Sequence, residues 1–397
     1  MGIIIGVLGV GQFAPQFIPL FKLHPDVDAV YATDIVPERA ADAVSGLGVD
    51  RVFASYEDLL SSDCDAVAIF TQRWTHGPLV LQALNAGKHT YSTVPMAIST
   101  EEISAIVAAV EETGLTYMMG ETSYYYPGPV YARQRRAAGD FGRIFYAEGD
   151  YVHDMDLGFY AAYQYSGGDR WKETASYPPM LYPTHAIGGV LSVLSSHAVS
   201  VSCVGVRDDR DDGVFDRRTS MFGNDFSNAS ALFELSDGAV MRTNEMRRVG
   251  YPAHIRESRY RYFGTEGSFE QLAEVSVWQD KETVTDVSEL LRPTGSTKGW
   301  SAGHALVHDT SRLPTSYANA PDGHEGSHQF LADDFVNAVV TGVVPPVNAW
   351  VAARYTLPGI IAHQSALLKG QRLLIADLGD APPRPTPQLQ TKAPVEE

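Results

Sequence analysis

Gly9-Val10-Gly11-Gln12-Phe13-Ala14, placed directly after a short apolar run, constrains the first part of this chain more than any other feature. Ile3 to Val10 is rich in Ile and Val and ends in glycines, as a buried parallel strand does. Gly9 permits a tight turn, Gly11 lets the backbone approach a pyrophosphate, and the small Ala14 lets helix and strand pack closely. A helix is expected over roughly Phe13 to Lys22, its free N–H groups and dipole turned to the phosphates. Gly9, Gly11, Gln12 and Phe13 are the expected phosphate contacts. Asp34 closes a second strand, Ala29 to Asp34, about 20 residues after the motif. Its carboxylate can accept bonds from both adenosine ribose hydroxyls and would repel a 2′-phosphate. Ile35 beside it offers no compensating cation, so the pattern favours NAD over NADP.

Strand and helix then alternate. Helices are expected at Pro37 to Ser45, Pro78 to Ala86 and Thr100 to Thr113, and buried strands at Ala66 to Phe70, Thr90 to Ser92 and Leu115 to Met119. This is the pattern of a doubly wound parallel sheet over residues 1–120. After Gly120 the pattern changes. Ile144 to His153 alternates apolar and polar residues, and further strands are expected at Val199 to Val206, Ser230 to Leu235, Ala239 to Glu245, Arg259 to Phe263 and Glu274 to Trp278. Turns such as Ser236-Asp237-Gly238 between them give an antiparallel character. Residues 121–381 are therefore expected to form an α+β domain with one open, mainly antiparallel sheet, and 382–397 a disordered, Pro-rich tail. Asp208 to Asp216 reads as a solvated acidic loop, and Leu291 to Pro321 as a long surface excursion.

Charge and cysteine usage exclude several partners. A net charge of -18 argues against nucleic acid, which demands clustered Lys and Arg. No apolar run is long enough to span a bilayer. The N-terminal segment lacks the basic region and cleavage site of a signal peptide. Cys64 and Cys203 are too few for a disulfide framework, so a reducing, cytoplasmic location is expected. No ligand spacing of the His-Glu-x-x-His kind appears, and no metal is expected.

Three further segments carry a resemblance. Thr71-Gln72-Arg73-Trp74-Thr75-His76 follows the Ala66 to Phe70 strand, Ala83-Leu84-Asn85-Ala86-Gly87-Lys88-His89 leads to a turn at Thr93-Val94-Pro95, and Phe141-Gly142-Arg143-Ile144 opens the later sheet. With the glycine motif, these resemble the Gfo/Idh/MocA (glucose-fructose oxidoreductase, inositol dehydrogenase) family. The resemblance implies an N-terminal Rossmann domain, an open sheet after it, a carbohydrate pocket between sheet and nicotinamide, and a homo-oligomer. It also implies that Thr71, Gln72, Trp74, His76, Thr93, Val94, Pro95 and Glu121 lie beside the cofactor. Where that family commonly reads Glu-Lys-Pro, with the lysine between nicotinamide and substrate, this chain has Thr93-Val94-Pro95. Leu181-Tyr182-Pro183-Thr184-His185 is instead similar to one branch, the NAD-dependent α-N-acetylgalactosaminidases, as are Gly120-Glu121, Tyr151-Val152-His153 and Gly323-His324-Glu325-Gly326.

Val94 has no proton to give, so proton handling must lie elsewhere. His185 is the candidate for deprotonating a sugar alcohol, because imidazole titrates near neutrality. Tyr182 is the candidate for a carbon-bound proton, given a nearby cation to favour its phenolate. His153, Arg170, Trp171, Lys172 and His324 are candidates for gripping substrate, with Trp171 stacking on a sugar face. The leading expectation is NAD-dependent hydride transfer at a sugar or cyclitol carbinol. The alternatives are a glycosidase that recycles its NAD through oxidation, elimination, water addition and reduction, and a non-catalytic NAD-binding sensor.

Overall fold

The computed structural model describes residues 2–250, 257–297, 300–320 and 322–383. Its first sheet joins β1 (Ile3–Leu8), β2 (Val27–Thr33), β3 (Arg51–Val52), β4 (Ala66–Ile69), β5 (His89–Ser92) and β6 (Tyr117–Met119). The order is β3-β2-β1-β4-β5-β6 and every pairing is parallel. β4 is buried at every position, as a strand covered on both faces must be. The order reverses between β1 and β4, which opens a crevice beyond their carboxyl ends.

The helix expected over Phe13 to Lys22 is broken. Pro15 and Pro19 each remove a backbone donor, leaving a 3₁₀ turn at Ala14–Gln16 and a short helix at Ile18–Leu23. The long helix expected at the phosphates is therefore absent, and the glycine turn precedes two short pieces instead.

The second sheet joins β7 (Ile144–Val152), β8 (Ala198–Arg207), β9 (Phe226–Leu235), β10 (Val240–Met246), β11 (Ser258–Gly264), β12 (Gly267–Gln271), β13 (Ser276–Asp280) and β14 (Val284–Asp286). The ribbon of β15 (Gly295–Thr297) and β16 (Trp300–Ala302) lies outside it, and β17 (Leu373–Leu374) closes one edge in the order β14-β13-β12-β11-β7-β10-β9-β8-β17. β7 and β10 pair in parallel while the remaining pairs are antiparallel, so the sheet is mixed. One face is covered by the fully buried helix Thr184–Leu191 and by Ala349–Leu367. The other carries a charged lattice: Arg261 reaches Glu148 and Asp150 at 2.5 and 3.0 Å, and Arg242 reaches Glu148 at 3.1 Å.

Two helices at Phe159–Gly167 and Trp171–Ala175 were not expected. The loop expected to be solvated is tied down on them: Arg248 pairs with Asp208 and Asp212 at 3.2 and 2.9 Å, and Tyr160 bonds to Asp212. The chain also returns to the first sheet. Helix Ser327–Thr341 packs Phe330, Leu331, Phe335 and Val336 into one core with Phe17, Phe21 and Tyr91. Among the described residues no helix is long and apolar enough to cross a membrane. Of the expected disordered tail, residues 384–397 lie outside the described residues.

Candidate active site

Each cofactor candidate sits at the carboxyl edge of the first sheet. Beyond β1, Gly9 adopts φ +87°, a conformation that favours glycine. Nothing lies within 4 Å of where a Cβ on Gly11 would stand, so its backbone is open to a ligand. Ala14 is fully buried, Gln12 is exposed, and Phe13 lies edge-on to His324 and His328, with ring centroids 5.4 Å away in each case. Asp34 is held rigidly: its two oxygens accept the Val10 and Val36 N–H groups at 2.7 and 2.8 Å. The glycine turn and the fixed carboxylate fit a dinucleotide. A cation does accompany Asp34, contrary to expectation. Ile35 is 95% exposed and offers none, but Arg39 Nη1 lies 4.0 Å from Asp34 and its guanidinium covers the Tyr165 ring at 4.2 Å.

Beyond β4, Thr71 and Thr75 bond to each other at 2.7 Å, and Thr75 donates to Gln72 O. Trp74 turns toward the second sheet's elements, 5.7 Å from Phe222. His76 is a staple. Its Nδ1 lies 2.7 Å from Pro95 O, and its Nε2 3.2 Å from Thr71 O and 3.3 Å from Thr93 Oγ1. It is wholly buried, so it bears on a cofactor through the two turns it joins. Val94 is buried beside it.

Beyond β6, Glu121 begins a buried polar cluster. It is fully buried, and its Oε1 accepts the Ser123 N–H at 2.8 Å and lies 2.7 Å from His185 Nδ1. Burial alone would raise this carboxyl, but the facing His185 imidazole and the hydrogen bonds from His185 and the Ser123 N–H hold it below its ordinary value. A carboxylate can only accept, so His185 carries its proton on Nδ1. The Nε2 lone pair then faces Tyr182, whose hydroxyl lies 3.2 Å away. The helix bearing His185 is fixed from the sheet below: Tyr260 donates to His185 O and Tyr262 to Gly189 O, both at 2.9 Å. The cation expected beside Tyr182 is present. The Arg73 guanidinium covers its ring at 4.3 Å. Burial raises the Tyr182 hydroxyl, and Arg73 opposes that rise only in part.

Of the expected substrate residues, His153 and His324 join this cluster. His153 Nδ1 accepts from the Tyr151 hydroxyl at 2.9 Å, Nε2 donates to Leu157 O at 3.0 Å, and burial pushes the ring down to about 3. His324 lies 2.8 Å from His328 and is pushed down to about 4 by burial, with His185 adding to the effect. It sits in a run of three left-handed residues, φ 44°, 57° and 91° at His324, Glu325 and Gly326, a strained stretch that the surrounding structure must hold. Arg170, Trp171 and Lys172 are placed elsewhere. Arg170 has a side chain 81% exposed and pairs with Glu173, Trp171 packs against Tyr160, and Lys172 lies against Gly213. Their helix faces the clamped acidic loop, which removes them from the expected grip on substrate. The cations that do reach the cluster are Arg73 and Arg247, the latter 4.7 Å from the Tyr151 ring and paired with Glu245 at 2.8 Å.

Comparison with known proteins fits this geometry. Residues 3–121 match the family model described as an oxidoreductase family with an NAD-binding Rossmann fold. Those residues belong to the Gfo/Idh/MocA family. The chain is 26% identical to a glycosyl hydrolase family 109 protein of Streptomyces filamentosus, over 94% of this chain and 76% of the relative. It is 34% identical to an alpha-N-acetylgalactosaminidase of Bacteroides fragilis, over 34% of this chain and 32% of the relative. Its fold resembles scyllo-inositol dehydrogenase from Lactobacillus casei, with TM-score 0.69, 19% identity and coverage of 94% and 99%. Levoglucosan dehydrogenase gives TM-score 0.74 at 17% identity, covering 94% and 100%. The expected Rossmann domain and mainly antiparallel second sheet are both present.

Burial of titratable groups sets a pH optimum for stability. His76, His153, His304, His308, His324, His328 and His363 are all held below the ordinary 6.5 by burial. Their contribution is present above pH 6.5 and is lost as pH falls and the unfolded chain takes up protons. Burial raises Glu245 and Glu257 to about 8, Asp322 to about 7, and Asp334 as well. Those groups stabilise at low pH and lose that contribution as pH rises toward 8. Seven histidines outweigh four carboxyls below pH 6.5, and only the carboxyls act above it. Urea midpoints should therefore peak near pH 6.5 and fall on both sides. A midpoint still climbing at pH 8 would contradict these protonation states.

Proposed function

We propose that this NAD-dependent enzyme transfers hydride at a sugar or cyclitol carbinol, with His185 accepting the carbinol proton. The observation that carries this reading is the hydrogen-bonded chain Glu121–His185–Tyr182 at the carboxyl edge of an NAD-binding sheet. NAD supplies the hydride acceptor when bound, and Gly9, Gly11 and Asp34 would hold it. Glu121 keeps the imidazole in the tautomer that leaves Nε2 free to accept. Tyr182, bonded to that same Nε2, can hand a proton to His185 or receive one from it. Glu121 also stabilises the imidazolium as it forms, by a charge-assisted bond in a buried setting. Val94 needs no proton of its own in this arrangement. His153 and His324 are assigned to the pocket wall around the sugar.

A second reading is favoured by the family 109 relative, aligned along 94% of the chain. In it His185 releases the carbinol proton and takes the Tyr182 hydroxyl proton; the phenolate then removes the carbon-bound proton beside the ketone, the leaving group is expelled, water adds and the sugar is reduced again. A sensor would need no such relay. The exposed Leu232 and Val204, on the sheet face that bears the charged lattice, support a homo-oligomer. The free, buried Cys64 and Cys203 agree with a cytoplasmic location.

Purified protein incubated with free sugars, cyclitols and aryl glycosides separates these readings. NADH accumulating with a free polyol supports the first. Aglycone release without net NADH, with solvent deuterium incorporated beside the oxidised carbon, supports the second. Tyr182→Phe should then abolish that exchange and spare NAD binding; unchanged exchange would remove Tyr182 from that step.

A further inference from the structure

Arg73 is a cation without a counter-charge. It lies in the turn beyond β4, and its side chain meets residues of the later domain. Its guanidinium stands 4.3 Å from the Tyr182 ring and 5.4, 5.5 and 5.7 Å from the rings of Phe159, Tyr163 and Tyr177. Nη1 donates to the Tyr163 hydroxyl at 2.8 Å. Among the described residues it forms no ion pair. Other arginines have carboxyl partners within reach: Arg247 meets Glu245, Arg248 meets Asp208 and Asp212, and Arg312 meets Asp333 and Asp334. An enclosed guanidinium is costly unless paired, and aromatic faces compensate only part of that cost. The Tyr182 phenolate is not the missing partner at rest, because burial keeps that hydroxyl protonated at neutral pH. Arg73 as a whole residue is half-buried.

We propose that Arg73 receives a carboxylate of the substrate, so that the sugar is an acidic one of the uronate class. The inference rests on the proposed reading of Glu121, His185 and Tyr182 as the site of chemistry, since it is contact with Tyr182 that places Arg73 there. A guanidinium edge matches a planar carboxylate in two parallel hydrogen bonds. A single positive charge also matches a singly charged carboxylate, whereas a sugar phosphate would bring surplus negative charge. The rings beside the Arg73 guanidinium, Phe159, Tyr163, Tyr177 and Tyr182, can pack on a sugar.

The test is binding of D-glucuronate, D-galacturonate, D-glucose and D-galactose to full-length protein loaded with NAD, by calorimetry, with glucose 6-phosphate as a further arm. The wild type should bind a uronate at least about tenfold tighter than its neutral parent, the value of one good charged hydrogen bond. Arg73→Gln should erase that preference while keeping the wild-type affinity for NAD, and Arg73→Lys should retain part of it. Equal binding of uronate and neutral sugar by the wild type would overturn the proposal, whether or not the variants fold. So would a uronate preference that survives in Arg73→Gln, tighter binding of the phosphate than of the uronate, or a loss of NAD affinity matching the loss of uronate affinity. An Arg73-dependent uronate preference with no turnover of any sugar would sink the proposed reaction and leave this assignment standing. Turnover of neutral sugars without an acid preference would do the reverse.

Discussion

His185→Ala should lower turnover by roughly 10²- to 10⁴-fold, the usual worth of a positioned general base, while leaving NAD affinity at the wild-type level. The separation follows from geometry. The glycine turn and Asp34 lie beyond β1 and β2, whereas His185 rests on the second sheet. The imidazole also makes the only acceptor contact recorded for the Tyr182 hydroxyl among the described residues, so its loss removes both proton routes at once. Glu121→Gln should lower turnover as well, because an amide can present N–H to His185 Nδ1 and reverse the tautomer. Initial rates and a parallel NAD titration check both variants. Wild-type turnover in His185→Ala, on a substrate the native protein accepts, would take His185 out of the chemistry.

What could be read from the sequence was what local pattern encodes. Thr100–Thr113 appears with the expected bounds because Ser99 caps its start, accepting the Glu102 N–H, and Gly114 ends it in the left-handed region. The start of Ala349–Leu367 is set in the same way by Asn348, whose side chain accepts the Trp350 and Val351 N–H groups. Asp34 was legible because a strand end and a glycine turn fix its place within a few residues. The first helix was misread, although Pro15 and Pro19 were visible, because its apolar content outweighed two breakers.

The candidate site depended on long-range packing. Glu121, Tyr182 and His185 could be named from motifs, but their contacts join the end of β6 to a helix some sixty positions later. Arg73 lies within the segment Thr71 to His76, where nothing local in the sequence distinguishes it. Its role appears only when Tyr163, Tyr177 and Tyr182 fold around it. Arg170 and Lys172 were better candidates on paper, being close to Tyr182 in sequence, yet their helix is drawn to the clamped loop. Nothing local marks Arg247 or the parallel pairing of β7 with β10, since both depend on strands about ninety residues apart meeting in the sheet.

Gly149→Ala should damage both stability and turnover. Gly149 lies on β7 beneath helix Thr184–Leu191, and a Cβ there would overlap the Ala186 carbonyl oxygen and crowd the Val190 side chain. The first obstacle is backbone, which cannot rotate away as a side chain can. Either the strand or the whole helix must shift. Tyr260 and Tyr262 hold that helix through His185 O and Gly189 O, and the next residue on its inner face, Gly189, already packs on the Tyr260 ring. There is no slack on the sheet side. Overpacking of this kind costs about 3 kcal/mol at the upper end of its usual range, which in a domain of this size lowers Tm by roughly 6–12 °C. The helix carries His185, so a displacement of about 1 Å should also reduce turnover by roughly 10²-fold in protein that remains folded. Thermal unfolding and kcat on the refolded fraction measure the two effects separately. A variant with native Tm and native kcat would mean that helix and sheet are not packed as closely as the Gly149–Ala186 approach requires.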